Sequence, residues 1–301
     1  MYVPPTRIVA VSGAAGMSSS GSLKCGVHVS IAGSIDQAVD RAKERNCDTF
    51  QIFTRNPRGW KFKKLSTDEA AKFREKLKGS AIAPAVAHMP YLPNLSCPKK
   101  GIYKKSLRAL IVELERCDLL KIPYLVTHLG SHLGKGRAIG LERLVEAIDT
   151  AFNSSKGKTM LLLENTAGTK NSMGSSFEDI QEILDHVTAR TRVAVCFDTC
   201  HAFAAGYDMR DAESVEKTVA ELKRTIGIES LRVVHANDSK GELASGRDRH
   251  EHIGMGHIGE QGFRAILYND AFRRLPLILE TPIDKRGTDV TDLRKLRELG
   301  A

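Results

Sequence analysis

The 301-residue chain predicts an α/β fold, a closed (β/α)8 TIM barrel, on three observations. Short apolar runs alternate with longer amphipathic stretches from Lys24 onward. Strand starts recur at roughly 25 to 45 residues, the size of one βα unit. Eight such units fit the length of one barrel. An open doubly wound sheet would need a glycine-rich turn after its first strand, and Gly26-Val27-His28-Val29-Ser30 is not one.

The elements follow in order. The first strand spans 25–29, and its helix, 34–45, takes Ser34 as a cap and sets Ile35, Ala38, Val39 and Ala42 on one face. Strands at 49–53, 85–88 and 124–127 lead to helices at 67–78, 103–120 and 140–154. Strands at 160–164, 193–197 and 232–235 lead to helices at 176–188, 212–226 and 262–268, and the eighth strand is 277–280. Residues 1–22 are rich in Ser and Gly and lack periodicity, and the first acidic residue is Asp36. They read as a disordered N-terminal extension, which leaves 23–301 as one barrel domain. The apolar stretch from Ile8 to Val11 is too short for a signal-peptide core.

Composition narrows the class. Lys plus Arg is 45 against 36 Asp plus Glu, a net charge of +9 that permits a polyanionic partner. No apolar run approaches the roughly 20 residues of a membrane helix. With 42% hydrophobic residues, the chain has the material for a core, which excludes wholesale disorder. Six scattered cysteines argue for a reducing interior rather than a disulfide scaffold.

A barrel carries its chemistry at the C-terminal ends of its strands. These ends read His28, Phe53-Thr54-Arg55, His88, His128, Glu164, Asp198, His235 and Glu280. Only strand two lacks a ligand-type group. Unpaired charges in a core are costly, so their recurrence around one mouth points to metal ions. Two loop motifs extend the set: Asp198-Thr199-Cys200-His201, and Asp248-Arg249-His250, whose i, i+2 spacing aims both side chains one way in an extended segment. Nine candidates result: His88, His128, Glu164, Asp198, His201, His235, Asp248, His250 and Glu280. Imidazole with carboxylate suits Zn2+, Mn2+ or Fe2+. The set exceeds what one ion takes, and shared carboxylates allow three. Four carboxylates against three divalent ions leave a positive surplus that suits an anionic substrate such as a phosphodiester. Of the other histidines, His28 is expected to line the pocket. His132 and His252 are either hydrogen-bond donors to ligands or solvated, and His186 and His257 are not ligands.

Specific strings then identify a resemblance. Phe53-Thr54-Arg55-Asn56-Pro57-Arg58-Gly59-Trp60, His88-Met89-Pro90-Tyr91-Leu92, Leu163-Glu164-Asn165-Thr166, Asp198-Thr199-Cys200-His201-Ala202-Phe203 and His235-Ala236-Asn237-Asp238-Ser239-Lys240 occur in the family's order. The chain resembles the endonuclease IV family of apurinic/apyrimidinic endonucleases (AP endonuclease family 2) from about Gly26 to Thr281. The resemblance implies a barrel with DNA-binding loops at the C-terminal face of its strands. It implies a hydrolase that cuts the phosphodiester 5′ to an abasic site, leaving a 3′-hydroxyl and a 5′-deoxyribose phosphate, and that removes 3′-blocking groups. It further implies three Zn2+ per chain, with Mn2+ admissible at one site. His88, His128 and Glu164 would hold the first ion, and Glu164, Asp198, His235 and Glu280 the second. His201, Asp248 and His250 would hold the third. Glu280 and Glu164 take the catalytic roles, with Glu280 orienting or deprotonating the attacking water. Arg58, Tyr91 and Leu92 take the positions that penetrate DNA.

The implied partner is double-stranded DNA with abasic sites or 3′-blocked ends, without a membrane. The expected state is a monomer in the cytoplasm, at the nucleoid, or in a nucleus or organelle if the source is eukaryotic. A metal-dependent sugar isomerase or epimerase on the same barrel is the alternative. It explains the strand ends but not the His201, Asp248 and His250 set, nor the basic loop holding Arg55, Arg58, Lys61, Lys63 and Lys64 around Trp60 and Phe62. A non-catalytic DNA-binding barrel would lack ligands, and all nine are present.

Overall fold

The structure is a computed structural model that describes residues 23–301, so the extension expected at 1–22 lies outside the described residues. In chain order the elements are β1 (Lys24–His28), α1 (Gln37–Glu44), β2 (Thr49–Phe53), α2 (Thr67–Lys78), β3 (Ala85–His88), α3 (Lys100–Leu120) and β4 (Tyr124–His128). Then come α4 (Arg137–Ser154), β5 (Met160–Glu164), α5 (Phe177–His186), β6 (Val193–Asp198), α6 (Thr199–Ala205), α7 (Ala212–Thr225) and β7 (Leu231–His235). The chain ends with β8 (Asp238–Ser239), β9 (His250–Glu251), α8 (Gly259–Tyr268), α9 (Asp270–Arg273), β10 (Pro276–Leu279) and α10 (Asp289–Leu299).

Eight parallel strands close in the order β1-β10-β7-β6-β5-β4-β3-β2. The barrel shuts where Lys24 pairs with Pro276 and Val27 with Leu279. β8 and β9 form a separate antiparallel ribbon above the mouth, pairing Ser239 with His250. Gly26 allows the close pairing of β1 with β2, because a Cβ there would fall 1.6 Å from the carbonyl oxygen of Thr49.

Strand alternation positions the site. Successive side chains point to opposite faces, so residues i and i+2 share one. Val86, Val126, Leu162, Cys196, Val233 and Ile278 fill the barrel interior as one apolar cluster. The residues two positions on are His88, His128, Glu164, Asp198, His235 and Glu280. They stand on the same inner face, one layer higher. The opposite face, including Phe50, Ile52, Leu125, Leu161, Leu163 and Phe197, packs under the helices in the main core.

The structure departs from the sequence reading at several elements: α3, α4 and α8 each start three residues earlier than read, and the β8–β9 ribbon and α9 have no counterpart in it. Helix α1 starts at Gln37 with Asp36 at its cap, because Ser34 instead accepts a turn bond from Gln37. Helix α6 begins directly after Asp198, where the sequence reading placed a loop motif. Helix α10 follows the eighth strand, with Thr288 as cap and Leu293, Leu296 and Leu299 buried. Its helical spacing was readable, but charged residues interrupt it.

Candidate metal centre

The mouth of the barrel brings eight of the nine candidates together from β3–β7, α6, β9 and the residue after β10, and the loop before β9 supplies Asp248. Their ligand atoms fall into groups within 4.8 Å: His88, His128 and Glu164; Glu164, Asp198, His235 and Glu280; and His201, Asp248 and His250. Asp198 and His250 also gather with Cys200, whose thiol burial pushes above its ordinary value. A protonated thiol is a poor ligand.

Glu164 stands at the centre. Its Oε2 lies 3.1 Å from His88 Nε2 and 3.6 Å from His128 Nδ1, while its Oε1 lies 2.9 Å from His235 Nδ1. His235 Nδ1 also faces Glu280 Oε2 at 3.3 Å and Asp198 Oδ2 at 3.8 Å. In the third group, Asp248 Oδ1 is 3.2 Å from His201 Nε2 and 3.5 Å from His250 Nε2. Two ligands on one tetrahedral ion, each about 2 Å away, lie roughly 3.3 Å apart. His250 Nε2 is buried without a hydrogen-bond partner. An imidazole nitrogen so placed beside two carboxylates suits a cation, which would satisfy all three groups, so the residues fit the metals that the donor set implies.

The far side of three of the rings is anchored by backbone carbonyls. His88 Nδ1 bonds to the carbonyl of Met89 at 2.7 Å, His201 Nδ1 to that of Asn165 at 2.9 Å, and His250 Nδ1 to that of Glu280 at 3.1 Å. These bonds place the proton on Nδ1 and leave Nε2 free for a cation. The spacing of Asp198 and His201 is a helix start: Asp198 caps α6, its Oδ1 accepting from the His201 amide at 2.7 Å. Both side chains then face one site across a single turn.

Electrostatics bind the centre together. Burial alone would raise Glu164, but His128 and His235 hold its carboxyl well below the usual range. Glu280 behaves likewise, against burial, through His235 and His28. Burial opposes charge on His201, yet Asp198 and Asp248 push it up to about 10. Asp248 falls to about 2, with burial outweighed by His201.

Sequence reasoning missed several residues. Asn165 accepts from the Asp198 amide at 2.7 Å and donates to its carbonyl at 3.0 Å. Asn237 donates to Asp198 Oδ2 at 2.8 Å and accepts from the Glu280 amide at 2.8 Å. Each follows or nearly follows a ligand in sequence, which is the signal that could have found it. Asp238 accepts from the amides of Gly254, Gly256 and Ile258, all at 3.0 Å, and so pins the segment after β9. A Cβ on Gly256 would sit 2.4 Å from that carboxylate. His28 lines the pocket, 3.6 Å from Glu280 Oε1. His252 is buried and bonds to Asp292 and Asp284, neither of them a candidate ligand. His132 accepts from the amide of Gly136 at 3.2 Å, and His186 and His257 are exposed and belong to none of the candidate ligand groups.

A cavity of about 400 Å3 opens beside the third group, lined by His128, His201, Asp248, Thr166, Tyr91 and Leu92. Tyr91 is 65% exposed and Leu92 41%, unusual for apolar side chains at a charged mouth. Tyr91 is braced edge-on against Phe53, ring centroids 5.0 Å apart. Arg58 is exposed on the loop after β2.

Fold and site together define a barrel enzyme with candidate metal-ligand groups at its mouth. The model of the xylose isomerase-like TIM barrel family matches residues 39–299. A probable endonuclease 4 of Methanoculleus marisnigri is 58% identical over 275 residues, covering 91% of this chain and 98% of its own. One from Nitrosopumilus maritimus is 50% identical, covering 92% and 99%. The crystal structure of endonuclease IV from Thermus thermophilus superposes with a TM-score of 0.82 at 36% identity, covering 92% of this chain and 98% of that one. A D-tagatose 3-epimerase-like protein, 21% identical with a TM-score of 0.67 over 91% and 96% of the two chains, shares the fold alone. The chain belongs to the endonuclease IV family.

Proposed function

We propose that the protein is a zinc-dependent DNA repair endonuclease. It hydrolyses the phosphodiester 5′ to an abasic site in duplex DNA, leaving a 3′-hydroxyl and a 5′-deoxyribose phosphate, and it clears 3′-blocking groups. The observation that carries this reading is the shared use of Glu164. It joins the first two ligand groups, and Asp198 lies 3.7 Å from His250 of the third, so the three groups form one continuous centre. A sugar epimerase needs fewer ions and no third group. Work on DNA sites the protein at the nucleoid, and one basic chain suffices to engage the duplex.

His88, His128 and Glu164 would hold one ion, Glu164, Asp198, His235 and Glu280 a second, and His201, Asp248 and His250 a third. Bound Zn2+ would supply Lewis acidity toward the phosphate and acidify water. The remaining work falls to side chains. Glu280, with 20% of its side chain exposed, is the carboxylate of the second group open to the mouth, and it takes the proton of the attacking water. Glu164, with 1% exposed, cannot touch DNA and acts by spanning two groups. Arg58, Tyr91 and Leu92 enter the base stack at the lesion, where wedges hold a kinked duplex open. Basic side chains of the loop after β2 contact phosphates.

The test is a duplex oligonucleotide carrying one tetrahydrofuran abasic analogue, incubated without magnesium and with brief EDTA. The analogue cannot undergo β-elimination, so only hydrolysis cuts it. Cleavage 5′ to the lesion, leaving a 3′-hydroxyl, is the expected result. Intact substrate after incubation with fully metal-loaded protein would sink the reading.

A further inference from the structure

Strand β2 presents no ionisable group at the mouth, and its inward side chain there is Gln51. This residue is fully buried, and its amide reaches three groups of the centre. Oε1 lies 2.9 Å from His235 Nε2, and Nε2 lies 2.7 Å from Glu280 Oε1 and 3.1 Å from His28 Nδ1. Hydrogen-bond chemistry assigns the directions. A carboxylate only accepts, so Gln51 Nε2 donates to Glu280. The amide oxygen likewise only accepts, so the proton of His235 sits on Nε2. Reversing the amide would set an oxygen against the Glu280 carboxylate.

This leaves His235 Nδ1 bare in the neutral ring, and Nδ1 is the atom that faces Glu164, Glu280 and Asp198. His88, His201 and His250 have their tautomers set by backbone carbonyls, which no substitution removes. Among these anchored rings, His235 alone depends on a side chain. Of these four it is also the one whose unprotonated nitrogen is Nδ1 rather than Nε2.

We propose that Gln51 is a positioning residue for the second ligand group. It holds His235 in the Nδ1-ligating tautomer and turns Glu280 toward the same point. The strand that lacks a ligand thus supplies the amide that aims two ligands from β7 and the end of β10. The inference rests on the reading of these residues as metal ligands, while its main test needs no DNA.

Metal-free wild type, Gln51→Met and Gln51→Ala are titrated with Co2+, following visible absorption, and with Zn2+ against a chromophoric chelator. Methionine matches the volume of glutamine without its hydrogen bonds, so a packing role would be rescued by Gln51→Met and a positioning role would not. The expected result for Gln51→Met is one ion bound about 10- to 100-fold more weakly, the usual cost of losing the partner that orients a ligand. The Co2+ spectrum of that ion should change, and the other ions should keep their affinity. On abasic duplex, kcat should fall with KM unchanged. Wild-type affinity and spectrum at every ion in Gln51→Met would overturn the proposal. Should that variant not fold, Gln51→Glu, which keeps an acceptor for His235 but repels Glu280, should also weaken one ion, and wild-type binding there overturns the proposal equally. Wild type that binds its ions but leaves DNA intact would refute the endonuclease reading and leave this inference standing.

Discussion

Arg55 Nε lies 2.5 Å from Glu113 Oε1, with 4% and 0% of the two side chains exposed. Glu113 Oε2 accepts from Thr54 Oγ1 at 2.5 Å, and Arg116 Nε donates to Thr54 Oγ1 at 2.8 Å. Arg55 and Arg116 then reach outward to the carbonyls of Gly59 and Lys63. Helix α3 thereby braces both sides of the loop that displays Arg58. Glu113→Ala leaves two buried guanidinium groups without their carboxylate, a loss of about 3–5 kcal/mol in unfolding free energy. Denaturant unfolding measures it. Trypsin should also cut faster at Lys61, Lys63 or Lys64, and an unchanged cleavage rate would disprove the brace.

Removal of the metals should cost stability as well as activity. Glu164, Asp198 and His235 are fully buried, and ions that bind only the folded chain stabilise it in proportion to their occupancy. Prolonged chelation is expected to abolish incision and lower Tm, both restored by Zn2+. A Tm indifferent to chelation would show that the centre holds no tightly bound ion.

Glu164→Gln keeps the shape of the residue shared by two candidate ligand groups but loses its charge. Elemental analysis should find fewer ions per chain, and incision should fall by at least about 100-fold, the scale on which preorganised charge contributes to catalysis. Undiminished abasic-site cleavage would show that the centre is not catalytic.

Tyr91→Ala with Leu92→Ala tests the wedge. Both side chains are exposed, so the folded state should be unaffected. A wedge offsets an unstacking cost of a few kcal/mol, so binding of the abasic duplex should weaken by about tenfold or more. Metal content should not change. Equal affinity in a gel-shift or anisotropy titration would remove these residues from the DNA interface.

His252 gives a pH signature away from DNA. Burial opposes its charge, but Asp292 at 2.8 Å and Asp284 at 3.1 Å hold its pKa above the ordinary value. The folded state therefore favours the protonated ring. Its stabilisation is complete below the unfolded pKa of about 6.5 and drains away as pH rises through the folded value. His252→Asn should lower Tm more at about pH 5.5 than at about pH 9. A gap that is constant with pH would contradict the assignment.

Much of this molecule was legible before folding. Strand alternation ties an apolar interior residue to the polar residue two positions on, so Val86 announces His88 and Ile278 announces Glu280. A charge at the end of an apolar run is costly unless something compensates it, and that cost makes the candidate ligands visible in one dimension. Residues 1–22 carry no such pattern.

The barrel closure decided the rest. Which ligands share a point depends on ladder register, as where His128 pairs with Glu164 and Asp198 with His235. Gln51, Asn165 and Asn237 carry no charge, so they cost less to bury than the charged candidates and stand out less in the sequence. Their partners lie far along the chain: Gln51 meets Glu280 across 229 residues, and Asn237 meets Asp198 across 39. A neutral amide acquires its role only when a donor and an acceptor are brought to hydrogen-bond distance from separate strands, and that distance is set by tertiary structure alone.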